Sequence, residues 1–273
     1  MANDSFTLDR GGLSLFVHRF LPEGREPTAV VQIAHGMAEH GARYARLAAA
    51  LNEAGYAAYA DDHRGHGRTA RDGELGHFGD RDGWSAMVGD LTALAEHLRS
   101  VHPGKKLFLF AHSMGSFLAL DALAHRGAAR WDAVILSGSD AVGGPLVAVG
   151  KQAARLERLR QGPLGKSSLL SFLSFGSFNA AFKPTRTAFD WLSRDPAEVD
   201  KYVADPWCGF RITNQSWVDF LDGMVRTGSD GYRSVTPKSL PVHLLAGQRD
   251  PVGKAGAGVE KLAGSCAPRG SPR

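Results

Sequence analysis

The feature that most constrains this chain is a rhythm that runs for half its length and then stops. Residues 13–20 alternate apolar and polar side chains, as a half-exposed strand does. Residues 29–34 (AVVQIA) form a nearly continuous apolar run and read as a strand covered on both faces. Residues 42–54 carry helical spacing rich in Ala and Leu, with Gly55 where a C-terminal cap belongs, and residues 56–60 resume strand character. A long amphipathic helix is predicted over 84–101, closed by Pro103-Gly104. A strand over 106–111, a helix over 114–125 and a strand over 132–137 follow. This order predicts an α/β fold, a mostly parallel sheet with helices on both faces.

From about 141 to 235 the patterns are helical with no buried-strand runs, and residues 241–246 return as an apolar strand. We therefore expect a core from residues 1–140 and 236–264, with 141–235 as a helical lid over one end of the sheet. A segment of that length inside a compact domain is usually functional. The last nine residues, 265–273, lose all periodicity and read as an aberrant tail.

At 273 residues and 43% hydrophobic content the chain can bury one substantial core, and no solenoid period recurs. The first twelve residues are too polar for a signal peptide, and no apolar run reaches membrane-spanning length, so a cytoplasmic location is expected. Cys208 and Cys266 stand in dissimilar contexts outside any CxxC pair, which argues against a disulfide or a zinc site. The net charge of +4 gathers partly at Lys151, Arg155, Arg158 and Arg160. That spacing reads as a solvated helix face, without the dense patch or module that nucleic acid requires. Weak contact with anionic lipid headgroups is compatible with it. No cofactor is called for.

The strongest chemical signal is Ala111-His112-Ser113-Met114-Gly115, between the strand ending in Leu107-Phe108-Leu109-Phe110 and the helix that Met114 opens. A serine on so sharp a strand-to-helix turn needs small residues two places to either side, and Ala111 and Gly115 supply them. The helix N-terminus then offers its amides and dipole to a developing oxyanion. An ordinary helix-capping serine is the weaker alternative.

A second signal is His35-Gly36-Met37-Ala38-Glu39-His40, where a turn can aim the Met37 amide at the same point as the Met114 amide. Losing one such donor typically costs about 3 kcal/mol of transition-state stabilisation. His35 and His40 have the chemistry of metal ligands, but no nearby carboxylate or cysteine set completes a site, and structural roles in the loop are expected. Asp62-His63-Arg64-Gly65-His66-Gly67 reads as a pinned loop. Asp250 follows the strand 241–246 at the sheet edge where active sites gather, although an Asp-Pro turn would place an aspartate there too.

Taken together, His35-Gly36-x-x-Glu39-His40-x-x-Arg43-Tyr44, Asp62-x-Arg64-Gly65-His66-Gly67, His112-Ser113-Met114-Gly115 and Gly247-x-x-Asp250 resemble the α/β-hydrolase family. The branch is that of monoacylglycerol lipases, lysophospholipases and serine aminopeptidases. The resemblance implies Ser113 as nucleophile, Asp250 as triad acid, and Met37 and Met114 as oxyanion donors. It further implies Glu39 and Arg43 as the pocket for the alcohol part of an ester, with a small-molecule ester or lipid as substrate. The apolar stretch Leu169, Leu170, Phe172, Leu173, Phe175, Phe178 and Phe182 fits an acyl groove and fits lid packing equally well.

The same resemblance calls for a histidine after the acid, following one more helix and strand. All 11 histidines precede Asp250, the last being His243. The Gly-, Pro-, Arg- and Ser-rich ending suggests a frameshift in a GC-rich gene, so that the triad histidine is expected to be missing from this chain. Loss of a triad member costs on the order of 10⁴–10⁶ in kcat, and near-zero esterase activity is the expectation. Three readings stay open: a serine ester hydrolase, a non-catalytic binding protein built on the same pocket, and a peptidase-like amidase.

Overall fold

The computed structural model describes residues 2–70, 74–125, 130–141, 145–228 and 239–266. Its strands are β1 (Ala2–Asp9), β2 (Ser14–Leu21), β3 (Ala29–Ala34), β4 (Tyr56–Asp61), β5 (Lys106–His112), β6 (Ala133–Ser137) and β7 (Val242–Leu245). They form one sheet in the order β1-β2-β4-β3-β5-β6-β7. The five strands from β4 to β7 run parallel, and the β1–β2 hairpin closes one side antiparallel.

All six residues of β3 are buried, as an apolar run covered on both faces must be. Gln32 interrupts that run without a desolvation cost, because its amide donates to Leu91 O (2.9 Å) and accepts from Trp131 Nε1 (3.0 Å). Helix α1 (Ala45–Glu53) covers one face; α2 (Gly83–Val101) and α3 (Met114–His125) cover the other. Trp84, Met87, Leu91, Leu94 and Leu98 follow helical spacing along α2 and are buried.

Between β6 and β7 the described chain is helical: α4 (Pro145–Gln161), α5 (Ser168–Ser171), a π-wound turn (Phe172–Gly176), α6 (Ser177–Ala180), α7 (Pro196–Ala204) and α8 (Asn214–Thr227). Helix α8 packs against α4, α2 and α3, which seats this segment on the sheet's helical layer. The last described element is α9 (Ala257–Cys266). Among the described residues no helix is long and apolar enough to cross a membrane.

One strand appears where the sequence pattern assigned no element, and two expectations change. Residues 2–9 form a strand although few are apolar, since Phe6 and Leu8 alone need to face inward while β2 supplies the hydrogen-bond ladder. The helix expected over 42–54 begins with a tight 3₁₀ turn, Gly41–Tyr44, before α1 proper. Helix α9 continues to Cys266, two residues into the segment 265–273 read as lacking periodicity; residues 267–273 lie outside the described residues.

Candidate active site

Ser113 sits between β5 and α3 with φ of +50°, a left-handed conformation that a non-glycine residue adopts only when its surroundings impose it. Its amide donates to Ser137 O (2.8 Å), and its carbonyl accepts from Ser116 N (2.8 Å) and Ser116 Oγ (2.6 Å). Two positions on, Gly115 lies against the backbone of β3: a methyl group there would stand 2.4 Å from Ala34 O and 2.7 Å from His35 O. Ala111 is fully buried and paired with Ala34 across the parallel ladder.

The loop after β3 comes directly over the serine. A methyl group on Gly36 would lie 3.2 Å from Ser113 Cβ. Neither the Met37 nor the Met114 amide donates to a loop carbonyl or a side chain among the described residues. Ala38 holds a left-handed φ of +57° from both sides: its amide donates to His66 Nε2 (3.2 Å), and its carbonyl accepts from Tyr202 Oη (2.8 Å) and Gly209 N (3.0 Å). Thus the helical segment after β6 grips the same loop that faces Ser113.

Glu39 is buried and accepts from Gly36 N (2.6 Å), Tyr44 Oη (2.9 Å) and Arg43 Nη1. Burial works against its charge, but the fields of His112 and Arg43 and the Gly36 amide together hold its carboxyl below the usual range. Burial, with the neighbouring carboxylate, drives the Tyr44 phenol well above its ordinary value. The result is an ionised carboxylate clamped beside the serine.

Asp250 closes the turn after β7, its amide donating to Gly247 O (3.0 Å) and its Oδ1 accepting from Val252 N (2.9 Å). Oδ2 points toward Gly138, where a methyl group would lie 3.5 Å from it and 3.1 Å from His112 Cε1. His112 carried no role in the motif, yet its ring spans the floor between Gly36 and Gly138 and approaches Ser137 Oγ at 3.2 Å. The missed signal was its place on β5, since a residue just before the elbow must end at the sheet's C-terminal rim.

Ser113, Asp250, Met37, Glu39, Arg43 and His112 all line one cavity of about 700 Å³, a size that suits a small organic ligand. Met114 stands beneath it, buried at the head of α3. The apolar stretch of the helical segment divides. Phe175 and Phe182 line the cavity, Leu170 is buried in the core, Phe178 rests on Trp191, and Leu169, Phe172 and Leu173 face outward.

Below the site, His35, His63 and His66 are buried with rings in contact. Burial, reinforced by His63, lowers His35 well below the normal imidazole range and takes His66 to about 3, so both stay neutral. These two hold the polar loops together: His35 Nε2 accepts from His63 N (2.9 Å), as His66 does from Ala38. Asp62 does the same for the neighbouring loop, accepting from Gly41 N and Arg68 N (2.8 Å each).

In sequence His40 has Glu39 as its one nearby carboxylate and no cysteine; the structure brings Asp205 and Cys208 to it from the helical segment, and His18 and Asp62 also stand near it. Cys208 is no rival nucleophile, since burial raises its thiol to about 12.

A mostly parallel sheet with a serine on a left-handed strand-to-helix elbow and a carboxylate after a strand two places along the sheet is the arrangement of the α/β-hydrolase fold. The family model described as serine aminopeptidase, S33, matches residues 25–269, and the chain belongs to that family. A monoacylglycerol lipase of Mycolicibacterium smegmatis is 33% identical over 201 residues, covering 72% of this chain and 61% of that protein. Human monoglyceride lipase is 28% identical over 240 residues, 88% of this chain and 70% of the relative. Among solved structures, a thermostable carboxyl esterase from Bacillus coagulans, in complex with glycerol, superposes with a TM-score of 0.87 at 28% identity. That match covers 97% of this chain and 86% of the esterase.

Proposed function

We propose that the chain is a carboxylic-ester hydrolase of the monoacylglycerol class, working through an acyl-enzyme on Ser113. The observation that carries this reading is the strained Ser113 elbow, open to the cavity and packed against the Gly36–Met37 turn. In this reading Ser113 Oγ attacks the ester carbonyl as its proton passes to a general base, the Met37 and Met114 amides receive the oxyanion, and the alcohol leaves carrying that proton. The ionised Glu39, with Arg43, binds the hydroxyls of a glycerol-like leaving group. Phe175 and Phe182 border the acyl chain, and the helical segment acts as the lid. Support for the alcohol pocket comes from the names of the relatives and from the glycerol in the Bacillus esterase complex.

Asp250 serves as the acid that orients a base. Among the described residues lining the cavity, His112 is the only imidazole. That observation favours one second reading, a binding protein that keeps the pocket without turnover. A fluorophosphonate probe separates the two, because it reacts only with an activated serine. Labelling measured by intact mass, lost in Ser113→Ala, is expected for a hydrolase. A folded wild-type chain that stays unlabelled points to the binding protein.

A further inference from the structure

We propose that His40, Asp205 and Cys208 form a binding site for a borderline-soft divalent cation of the zinc class, joining the loop after β3 to the chain between α7 and α8. One ring nitrogen, one carboxylate oxygen and one sulfur lie within 4.8 Å of one another, although His40 and Asp205 are 165 residues apart in sequence. A nitrogen, oxygen and sulfur set suits Zn²⁺ or Co²⁺ and is a poor one for Mg²⁺ or Ca²⁺, which take oxygen.

His40 and Asp205 are both positioned by Trp207. His40 is 5% exposed and its ring meets the Trp207 indole edge-on at 5.4 Å. Its Nε2 faces Asp205 Oδ2 at 2.8 Å. The other ring nitrogen, Nδ1, is buried with no hydrogen-bond partner among the described residues, so it can carry the ring proton when Nε2 gives its lone pair to a cation. Asp205 Oδ1 accepts from Trp207 N (2.9 Å), which leaves Oδ2 aimed at His40. The Asp205 side chain is 27% exposed and Cys208 is partly exposed, so an ion can enter from solvent.

Arg43 is the opposing charge nearby, and it is committed elsewhere, to the Glu39 carboxylate and to the face of Tyr202 at 4.8 Å. On binding, the Cys208 S–H bond is exchanged for a metal–sulfur bond and the proton leaves to solvent. Three protein ligands leave a fourth tetrahedral position for water. The second set that shares His40, with His18 and Asp62, offers less. Its carboxylate is fully buried and already accepts from His18, Gly41 and Arg68.

The site stands apart from the proposed ester chemistry: none of its three ligands lines the cavity. A bound cation would instead fasten the segment whose Gly209 amide holds Ala38.

Cobalt spectroscopy tests this directly. In a Cys266→Ser protein, which retains Cys208 as its one thiol, one equivalent of Co²⁺ should give a near-ultraviolet thiolate-to-cobalt band and intense tetrahedral visible bands. Zn²⁺ should displace both. Adding Cys208→Ser should remove the thiolate band and weaken Zn²⁺ binding by calorimetry about tenfold or more. A folded Cys266→Ser protein without the thiolate band overturns the proposal, as does a band or a Zn²⁺ affinity unchanged by Cys208→Ser. The result does not depend on whether the chain hydrolyses esters.

Discussion

The centre and the rim of the sheet both end in a residue of the candidate site, but they hold it differently. Ser113 follows β5, which has a paired strand on each side, and it is fixed by Ser137 O, by Ser116 and by the absence of space around Gly115. Asp250 follows β7, which pairs only with β6 among the described residues and whose side chains alternate half-buried and exposed. Local turn hydrogen bonds, from Asp250 to Gly247 O and from Val252 to Asp250 Oδ1, do at the rim what packing does at the centre. The centre therefore dictates backbone strain, while the rim dictates only a turn.

That contrast can be broken most easily at Gly115. Gly115→Val must drive a side chain into Ala34 O and His35 O, which are backbone atoms and cannot step aside. A loss of more than about 3 kcal/mol is expected, or no folded protein at all. A urea midpoint equal to wild type would show that the centre is less constrained than argued.

Leu109→Ala probes packing on the same strand without touching the elbow. Leu109 is fully buried, so about 2–5 kcal/mol of destabilisation is expected in denaturant titration. A smaller loss would mean that the centre collapses onto cavities easily.

Acid sharpens the comparison through the histidines under the central loops. His66 has its pKa lowered from 6.5 to about 3 by burial and then by the charge of His63, and His35 is lowered for the same reasons. The unfolded chain takes up these protons first, so stability is full above about pH 6.5 and falls as pH drops toward 3. The loss from His66 is on the order of a few kcal/mol, and His66→Gln should flatten it. Thermal midpoints across that range, equally steep in both proteins, would refute the assignment.

The smallest effect belongs to the rim. Leu245 is 52% exposed on β7, and Leu245→Ala is expected to cost under about 1 kcal/mol. A cost comparable to Leu109→Ala would erase the distinction between centre and rim.

Much of this fold was legible because its signals are local. The strand 29–34 matches the structure at both ends and the helix after the elbow begins at Met114 as expected, since burial on both faces and the elbow leave little freedom there. Strand β1 was not legible: its two inward residues, Phe6 and Leu8, are too few to set a pattern, and the partner strand completes it. At the site, Glu39, Arg43 and Tyr44 lie within one turn of chain, so their cluster could be anticipated. The spacing of His112 and Asp250 around Gly138 could not, because it depends on three strands lying side by side.

The sequence by itself determined the order of strands and helices from β2 onward and the elbow at residue 113, because apolar periodicity and small residues act over a few positions. Only the tertiary structure decided which loops meet. His40 faces Asp205, and Ala38 is gripped by Tyr202 and Gly209, across separations of more than 160 residues. Such contacts are set by how the helical segment seats on the sheet, and that depends on packing summed over the whole chain rather than on any stretch of it.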